Sequence, residues 1–271
     1  MRVLIIGSTG YIGSAVASAV AAAGHEVIPL SRRETGPGVL GDLARPETIE
    51  PALREARPDV IVHAAHPIGA AADLAAIDRL SAFGAALVYT SGIWWIGATG
   101  DTPFDERQPH GNSDRARVEA AVLAAAPTIR SVVIRPGIVY GHRRGIPAEM
   151  VEWAGRFGVG RYVGSPGTRW PVVHVEDLGD LFVAAIERAE PGAVLHGVGE
   201  TVLSSDVAAA ADRAAGGAGR AEAWPVEAAA VELGERYAAN LALDQVLSST
   251  RTRSSMDWHP HRPGLVADLT G

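Results

Sequence analysis

Three glycines at intervals of three residues follow a short apolar run at the start of the chain, in MRVLIIGSTGYIGSAVASAVAAAGHEV. The run RVLII is apolar and rich in β-branched residues, which is typical of a parallel strand buried on both faces. The alanine-rich stretch behind the glycines predicts a helix that ends at Gly24. Gly7 permits the tight turn between the two, and Gly13 lets the helix pack closely on the strand. The chain therefore opens as a strand–turn–helix unit.

Strand-like and helix-like segments continue to alternate after this unit. Strands are predicted in HEVIPLS, GVLGDL, DVIVHAA, AALVYTS and SVVIRPGIVYG, and helices in PETIEPALREA, DLAAIDRLSAFG and SDRARVEAAVLAAA. Alternation of this kind predicts an α/β fold, a Rossmann-like doubly wound parallel sheet with helices on both faces. After residue 143 the pattern loosens, and PVVHV and EDLGDLFVAAIERA return to it. We predict a Rossmann domain at 1–143 and 171–196, and a small substrate-binding lobe at 144–170 and 197–271.

Composition excludes several classes of function. The net charge of −7 argues against nucleic acid or an anionic membrane as partner, since both need concentrated positive charge. The absence of cysteine excludes disulfides, thiol nucleophiles and thiolate metal sites, and it fits a reducing cytosol. No signal peptide pattern is present, and no apolar stretch approaches the ~20 residues of a membrane span. We expect a cytoplasmic protein without a metal, a monomer or homodimer, whose partner is a small-molecule substrate.

The glycine turn also predicts a ligand. Gly10 removes a side chain where a ligand must touch the backbone, and the helix that follows offers free N–H groups and a partial positive charge. Both features suit a pyrophosphate. Because the motif lies directly between a predicted strand and a predicted helix, it indicates dinucleotide binding rather than a tight turn with incidental glycines.

The spacing Gly-x-x-Gly-x-x-Gly resembles that of the short-chain dehydrogenase/reductase superfamily. Later segments resemble its extended, epimerase-like branch of NAD(P)-dependent epimerases and dehydratases: GDL at 41–43, HAA at 63–65, VYTSG at 88–92, RPGIVYG at 135–141 and VVHVEDLGDLFVAAIE at 172–187. The resemblance covers essentially the whole chain, and the ordered set is far more specific than any one member. It implies a nicotinamide dinucleotide cofactor and, for most members, redox chemistry on a small substrate.

The resemblance further implies which residues line the cofactor. GDL is similar to the family's adenine-contacting segment, HAA to the turn after the fourth strand, and RPGIVYG to the segment beside the nicotinamide. The implied cofactor-binding residues are Gly7, Thr9, Gly10, Tyr11, Ile12, Gly13, Ser31, Arg32, Arg33, Asp42, Leu43, Ala64, Ala65, His66, Thr90, Arg115, Pro136, Gly137, Ile138 and Val139.

The end of the second predicted strand bears on the choice of nucleotide. NAD-binding versions of the fold place an acidic residue there to hold the ribose 2′-hydroxyl. This chain has Ser31, Arg32 and Arg33 instead. Because guanidinium groups pair bidentately with phosphate, we predict NADP (NADPH) in preference to NAD. The alternative is that Arg32 and Arg33 are ordinary solvated surface residues.

The catalytic set that the resemblance implies is incomplete. The superfamily uses a serine or threonine with a Tyr-x-x-x-Lys pair on the next helix. Alignment on Glu119 puts the tyrosine position at Gly111 and the lysine position at Arg115, and no tyrosine lies between Tyr89 and Tyr140. Arg115 can still bind a ribose or a phosphate. Its guanidinium does not titrate near neutral pH as a perturbed lysine does.

Other groups are therefore candidates for orienting the substrate or moving a proton. Ser91 lies near the family's hydroxyl, but that hydroxyl is almost in register with Gly92, so Ser91 serves either the substrate or the cofactor. His110 is next to the vacant tyrosine position and titrates in a useful range, although it is also an ordinary loop histidine. The candidate catalytic residues are Ser91, Tyr140 and His110.

Aromatic residues supply the only clue to the substrate. Trp94 and Trp95 follow the fifth predicted strand, at the carboxyl edge where ligands bind in such folds. Together with Tyr140 and Trp170 they predict an aromatic wall for a flat or apolar substrate, with ordinary core packing as the alternative for each. Adjacent residues of a strand face opposite ways, so we expect at most one of the two tryptophans to line the pocket.

Two classes of function remain. The first is an NADP-dependent oxidoreductase that acts on a small apolar or aromatic carbonyl, alkene or imine without the usual Tyr–Lys pair. The second is a non-catalytic NADP-binding sensor or regulatory protein, which the vacant tyrosine position favours. A sugar-nucleotide epimerase or dehydratase is a weaker third alternative, because such enzymes normally keep the Tyr–Lys pair.

Overall fold

The computed structural model describes residues 1–33, 38–108, 111 and 113–271. Its strands are β1 (Arg2–Ile6), β2 (Glu26–Ser31), β3 (Val39–Leu40), β4 (Val60–His63), β5 (Ala86–Thr90), β6 (Ser131–Pro136), β7 (Ile138–Tyr140), β8 (Gly160–Val163), β9 (Arg169–His174), β10 (Ala193–Gly197), β11 (Glu200–Leu203) and β12 (Ala221–Trp224). Seven of them form a parallel sheet in the order β10-β6-β5-β4-β1-β2-β3. The chain thus begins in the middle of the sheet and winds outward in both directions, so the predicted doubly wound α/β fold is confirmed.

Helices cover both faces of this sheet. In chain order they are α1 (Tyr11–Ala22), α2 (Ile49–Ala56), α3 (Ala70–Ala82), α4 (Asp114–Ala124), α5 (Ile146–Phe157), α6 (Val175–Arg188), α7 (Ser204–Ala214), α8 (Val226–Leu233), α9 (Glu235–Leu241), α10 (Thr250–Met256) and α11 (Leu265–Thr270). Short 3-10 turns lie at Pro46–Thr48 and Trp94–Ile96. Among the described residues, no helix combines the length and the apolarity that crossing a membrane requires.

The alternation of side chains in the parallel strands divides the core into two layers. In β1, Val3 and Ile5 pack with α1 and α6 on one face, whereas Leu4 and Ile6 pack with α2, α3 and α4 on the other. All four side chains are almost completely buried. This explains why the strand reads as a continuous apolar run in the sequence, since a strand covered on both faces has no polar side.

A third apolar cluster holds the other elements together. It includes Met150 of α5, Val207 of α7, Trp224 of β12 and Leu241 of α9, and β7 and β9 also contribute to it. Beside it, β9 pairs in parallel with β7 and antiparallel with β11, and β12 pairs in parallel with β8. The division into domains at 144–170 and 197–271 stays a prediction.

Two strand assignments made from the sequence are wrong. SVVIRPGIVYG is not one strand with its exit but two, because the chain leaves the main sheet at Gly137 and continues as β7 in the three-stranded sheet. A Cβ at Gly137 would lie 2.5 Å from the carbonyl oxygen of Pro171, so the crossing runs directly against β9. PVVHV belongs to β9 and does not return to the main sheet, whose edge is formed by β10.

Candidate functional site

The glycine turn connects the carboxyl end of β1 to the first turn of α1. Gly7 has a φ of +86°, and a Cβ there would lie 2.8 Å from the backbone of Ala64 and Ala65, which follow β4. A Cβ at Gly13 would overlap the carbonyl oxygen of Gly7. These two glycines are therefore required by the fold of the turn itself.

Gly10 differs from its two neighbours in the motif. The only described atom within 4 Å of a Cβ at this position would be the Gly7 carbonyl oxygen, at 3.2 Å. Gly10 is the N-cap of α1 and has no side chain with which to cap the first N–H groups. The turn thus offers free backbone donors beside an open space, which suits an anionic group such as a pyrophosphate.

The first residue of α1 is turned toward the β7–α5 loop. The Tyr11 phenol donates to the Gly141 carbonyl at 2.7 Å, and the Arg144 guanidinium carbon lies 4.8 Å from the centre of its ring. Burial raises the pKa of this phenol. Ile12 packs against the core, and Thr9 is exposed at the tip of the turn. The Tyr11 side chain therefore connects the turn to the segment that follows β7.

Buried polar atoms without partners lie at the ends of the neighbouring strands. Among the described residues, three such atoms have no hydrogen-bond partner: His63 Nδ1 at the end of β4, and Thr90 Oγ1 and Ser91 Oγ at the end of β5. Burial lowers the pKa of His63 to about 4, so its ring is neutral near pH 7. Because buried polar atoms are nearly always paired, orphans grouped at one edge indicate a place for a bound polar ligand.

A phenol and a guanidinium lie beside the His63 ring, on the face of the sheet that α2, α3 and α4 cover. The Arg115 guanidinium donates to the hydroxyl of Tyr89, and its carbon lies 5.7 Å from the ring centre. Burial raises the pKa of Tyr89, an effect that the charge of Arg115 opposes. Tyr89 is in register with His63 across β4 and β5, with ring centres 5.2 Å apart. The chain contains no lysine, so no lysine ammonium can take the place of the Arg115 guanidinium here.

The vacant tyrosine position is open. Gly111 is exposed, and a Cβ added to it would meet no described atom within 4 Å. His110, the neighbouring candidate proton donor, lies outside the described residues. The space in front of α4 thus accepts a larger side chain at position 111.

The candidate adenine and 2′-phosphate residues follow β2 and β3. Ser31 Oγ donates to the Arg33 carbonyl at 2.8 Å and accepts the Arg33 N–H at 3.1 Å, which fixes a small turn. Arg32 and Arg33 are exposed, and among the described residues no acid lies within ion-pair distance of either. Asp42 accepts from the Ala44 N–H at 3.0 Å, and Leu43 is buried in the core. The two guanidiniums are therefore available to an anion.

The remaining implied cofactor residues lie along the same carboxyl edge. Ala64 and Ala65 contact the glycine turn, and His66 is exposed just beyond them. The Gly137 N–H donates to the Gly197 carbonyl at 2.9 Å, where the chain crosses from β6 to β7. The other residues of that crossing are Pro136, Ile138 and Val139.

Tyr140 and Trp170 lie inside the third apolar cluster. The Tyr140 hydroxyl donates to the Pro263 carbonyl at 2.9 Å, and the Trp170 indole N–H donates to the Leu241 carbonyl at 3.0 Å. Their exposed fractions are 4% and 2%. Both polar groups are thus already used within the protein, in contacts with the C-terminal segment and with α9.

Trp94 and Trp95 lie in a 3-10 turn and not on a strand, so the strand argument about their directions does not apply. They nevertheless diverge. Trp94 packs against Tyr237, with ring centres 5.9 Å apart, whereas Trp95 lies over Arg135, whose guanidinium carbon is 4.9 Å from the ring centre. Arg135 itself is fully buried and pairs with the equally buried Glu119 at 2.8 Å.

Sequence reasoning missed His63 and Tyr89 as site residues. His63 was visible only as part of HAA, and Tyr89 only as the residue before Thr90. A usable signal was present, because residues near the carboxyl ends of adjacent parallel strands come together. The pairing of the His63 ring with the Tyr89 phenol needed only the strand order.

A surface groove of about 560 Å³ runs along α1 and α6, with Tyr11 as part of its lining but none of the orphan polar atoms. Its floor consists of small residues of α1, and Arg144, Arg262, Glu176 and Asp180 stand at its rim. Arg262 is already paired with Glu176 at 2.8 Å. We therefore locate the candidate site by the unpaired polar atoms at the carboxyl edge of the sheet, and not by the volume of this groove.

Comparison with known proteins supports the fold. Residues 3–78 match the model of the NAD dependent epimerase/dehydratase family. The mouse epimerase family protein SDR39U1 is 29% identical over 73% of this chain and 74% of its own length. The human SDR39U1 (isoform 2) structure with NADPH has a TM-score of 0.77 and 24% identity, covering 100% of this chain and 98% of that one. The Thermus thermophilus UDP-glucose 4-epimerase complex with NAD has a TM-score of 0.78 and 22% identity, covering 100% and 99%.

Proposed function

We propose that the chain is an NADP-dependent oxidoreductase of the extended, epimerase-like branch of the short-chain dehydrogenase/reductase superfamily, to whose members it is similar. Its substrate is a small apolar or aromatic molecule with a carbonyl, alkene or imine group. The reaction proceeds without the Tyr–Lys pair that is usual in the superfamily. The protein acts in the cytoplasm on a free small molecule, consistent with its negative net charge.

One observation carries the proposal. The glycine turn lies at the carboxyl end of β1, and the orphan hydroxyls of Thr90 and Ser91 and the Tyr89–Arg115 pair lie at the carboxyl end of β5, with β4 between the two strands. This edge is where ligands bind in open α/β sheets. The backbone N–H groups beside Gly10 and the unpaired side-chain polar atoms fit a dinucleotide, because both are free to hydrogen-bond to a polar ligand.

The residues have distinct roles in this proposal. The backbone of the turn from Gly7 to Gly13 holds the pyrophosphate, and Arg115 binds the adjoining ribose. When bound, NADPH supplies the hydride, which is chemistry of the cofactor. Ser91 donates a hydrogen bond that orients the substrate oxygen, and solvent water supplies the proton. Orientation at fixed distance is the main contribution of the protein to the rate.

Nucleotide preference rests on the turn after β2. Arg32 and Arg33 are exposed and Ser31 fixes their backbone, so their guanidiniums face solvent without a described acidic partner. A 2′-phosphate supplies the charge that pairs with them. The human relative of known structure was solved with NADPH, which supports the same choice for this chain.

The test is NADPH oxidation across a panel of aromatic and aliphatic ketones, aldehydes, enones and imines. Turnover that falls about tenfold to a hundredfold in Ser91→Ala, with NADPH affinity unchanged, is the expected result. Ser81→Ala, which removes another buried hydroxyl from the far end of α3, is the matched control.

The second candidate function is a non-catalytic NADP sensor. The open space at Gly111, where the superfamily places its catalytic tyrosine, favours it. The same panel separates the two candidates. Tight NADPH binding with no turnover on any compound supports the sensor and contradicts the oxidoreductase.

A further inference from the structure

Three side chains from three elements meet on the lobe side of the candidate site. Trp94 follows β5, Glu149 lies in the first turn of α5, and Tyr237 is on α9. The Tyr237 phenol donates to a Glu149 carboxylate oxygen at 2.7 Å, and the rings of Tyr237 and Trp94 are 5.9 Å apart and inclined by 59°. All three are partly exposed. We call them the Trp94–Glu149–Tyr237 cluster.

The position of the cluster ties it to the carboxyl edge. Trp94 lies four residues beyond Thr90, whose hydroxyl is one of the orphan polar atoms. Helix α5 begins after Gly145, and a Cβ at Gly145 would meet the Tyr11 ring at 3.2 Å. Helix α5 thus begins beside the residue that opens α1, and Glu149 lies about one helical turn further along α5. Trp94 and Tyr237 are partly buried against the third apolar cluster, so the Trp94–Glu149–Tyr237 cluster lies at its border.

The Glu149 carboxylate retains most of its capacity to accept hydrogen bonds. Two carboxylate oxygens offer about four lone-pair sites, and the phenol uses one of them. Among the residues that the structure describes, no arginine or histidine lies within ion-pair distance of Glu149. Burial and the neighbouring carboxylate raise the pKa of Tyr237, so the phenol stays protonated as the donor. The hydrogen bond holds the carboxylate beside the two aromatic rings.

We propose that the Trp94–Glu149–Tyr237 cluster binds a positively charged nitrogen of the substrate. The faces of tryptophan and tyrosine attract cations, and a carboxylate at the same place neutralises the charge. The inference rests on the proposed function, because it assigns the substrate class of the same site. The substrate is then an aromatic or apolar molecule with a reducible group and an organic ammonium. A phosphate-bearing substrate is disfavoured, since the carboxylate repels it.

The experiment uses two aryl ketones of nearly equal shape, para-acetyl-N,N,N-trimethylanilinium and para-tert-butylacetophenone. They differ in charge at the remote end. Calorimetry measures their binding to the full-length protein with NADP⁺ present, and NADPH oxidation measures their turnover. The variants are Glu149→Gln, which keeps an acceptor for the Tyr237 phenol, and Glu152→Gln, an exposed glutamate of the same helix, as the matched control.

The expected result is a wild-type preference for the cationic ketone of about tenfold in Kd. Glu149→Gln abolishes that preference, while Glu152→Gln keeps it. Equal binding of both ketones by the wild type overturns the inference, as does an equal loss in the two variants. A preference for the cation that depends on Glu149, without turnover of either ketone, supports the cluster and counts against the proposed oxidoreductase. Turnover of both ketones without a preference for the cationic one supports the proposed oxidoreductase and counts against the cluster as a cation site.

Discussion

Gly10 has a φ of −74°, which any L-residue adopts, and the one described atom within 4 Å of an added Cβ is the Gly7 carbonyl oxygen at 3.2 Å, which must shift by a few tenths of an ångström. We therefore expect Gly10→Val to fold normally and to lose nucleotide binding, because the branched side chain occupies the place of the pyrophosphate. Circular dichroism checks the fold, and calorimetry with NADPH checks the binding.

Gly13→Val is the contrasting variant. Its Cβ would overlap the Gly7 carbonyl, so the protein should fail to fold. Unchanged NADPH binding by a folded Gly10→Val protein would show that the open space at Gly10 is not where the dinucleotide lies.

The exposed guanidinium of Arg32 is available to bind the 2′-phosphate of NADPH. It has no described acidic partner and follows a serine that fixes the local turn. Arg32→Ala should weaken NADPH binding by about tenfold to a hundredfold, as expected for lost hydrogen bonds to a charged group, and should leave NADH binding unchanged. Arg251→Ala, an exposed arginine on α10, is the control. Equal losses for NADPH and NADH in calorimetry would contradict a role in reading the 2′-phosphate.

The segment that leads into helix α4 allows the missing catalytic pair of the family to be rebuilt. At Gly111, which precedes the helix, an added Cβ would meet no described atom within 4 Å. Arg115, in the first turn of the helix, donates a hydrogen bond to the Tyr89 hydroxyl. Gly111→Tyr combined with Arg115→Lys restores the residue types of the family pair, with the tyrosine just before the N-cap Ser113 and the lysine in the first turn of α4. An oxidoreductase scaffold should then gain NADPH-dependent ketone reduction, measured as NADPH oxidation.

The single substitutions are the controls for this pair. Gly111→Tyr alone should gain less, because a guanidinium does not assist the phenol as an amine does. A double variant that binds NADPH but stays inert across the panel would favour the sensor.

The sequence predicted where strands and helices lie better than it predicted which strands pair with one another. Alternation and glycine positions located β1, α1 and β4 because these signals are local. Periodicity indicated a strand at PVVHV but not the sheet to which it belongs, since pairing depends on contacts between distant segments such as Gly137 and Pro171. The Tyr89–Arg115 contact was missed for the same reason, because side-chain reach across 26 residues leaves no local pattern.

For the whole molecule, His63 predicts a dependence of stability on pH. Its pKa in the folded protein is about 4, against an ordinary value of 6.5. Between these values the unfolded chain binds a proton that the folded protein excludes, so stability falls as the pH drops from about 6.5 to about 4. The contribution is on the order of 3 kcal/mol. Buried His174 and His196 act in the same direction.

Comparison of variants isolates the share of His63. Urea unfolding at several pH values should give a shallower pH dependence for His63→Gln than for the wild type. His259→Gln, which removes an exposed histidine, should leave the slope unchanged. Identical slopes for the wild type and His63→Gln would mean that His63 takes up its proton equally in both states.

The hydrogen bond from Tyr11 to the Gly141 carbonyl joins the first turn of α1 to a loop that also rests against the His174 ring. Occupancy at one end of this connection and order at the other are therefore thermodynamically reciprocal. If a nucleotide lowers the equilibrium constant for opening of the loop at 141–145 by some factor, then the form with the open loop must bind the nucleotide more weakly than the closed form by that same factor.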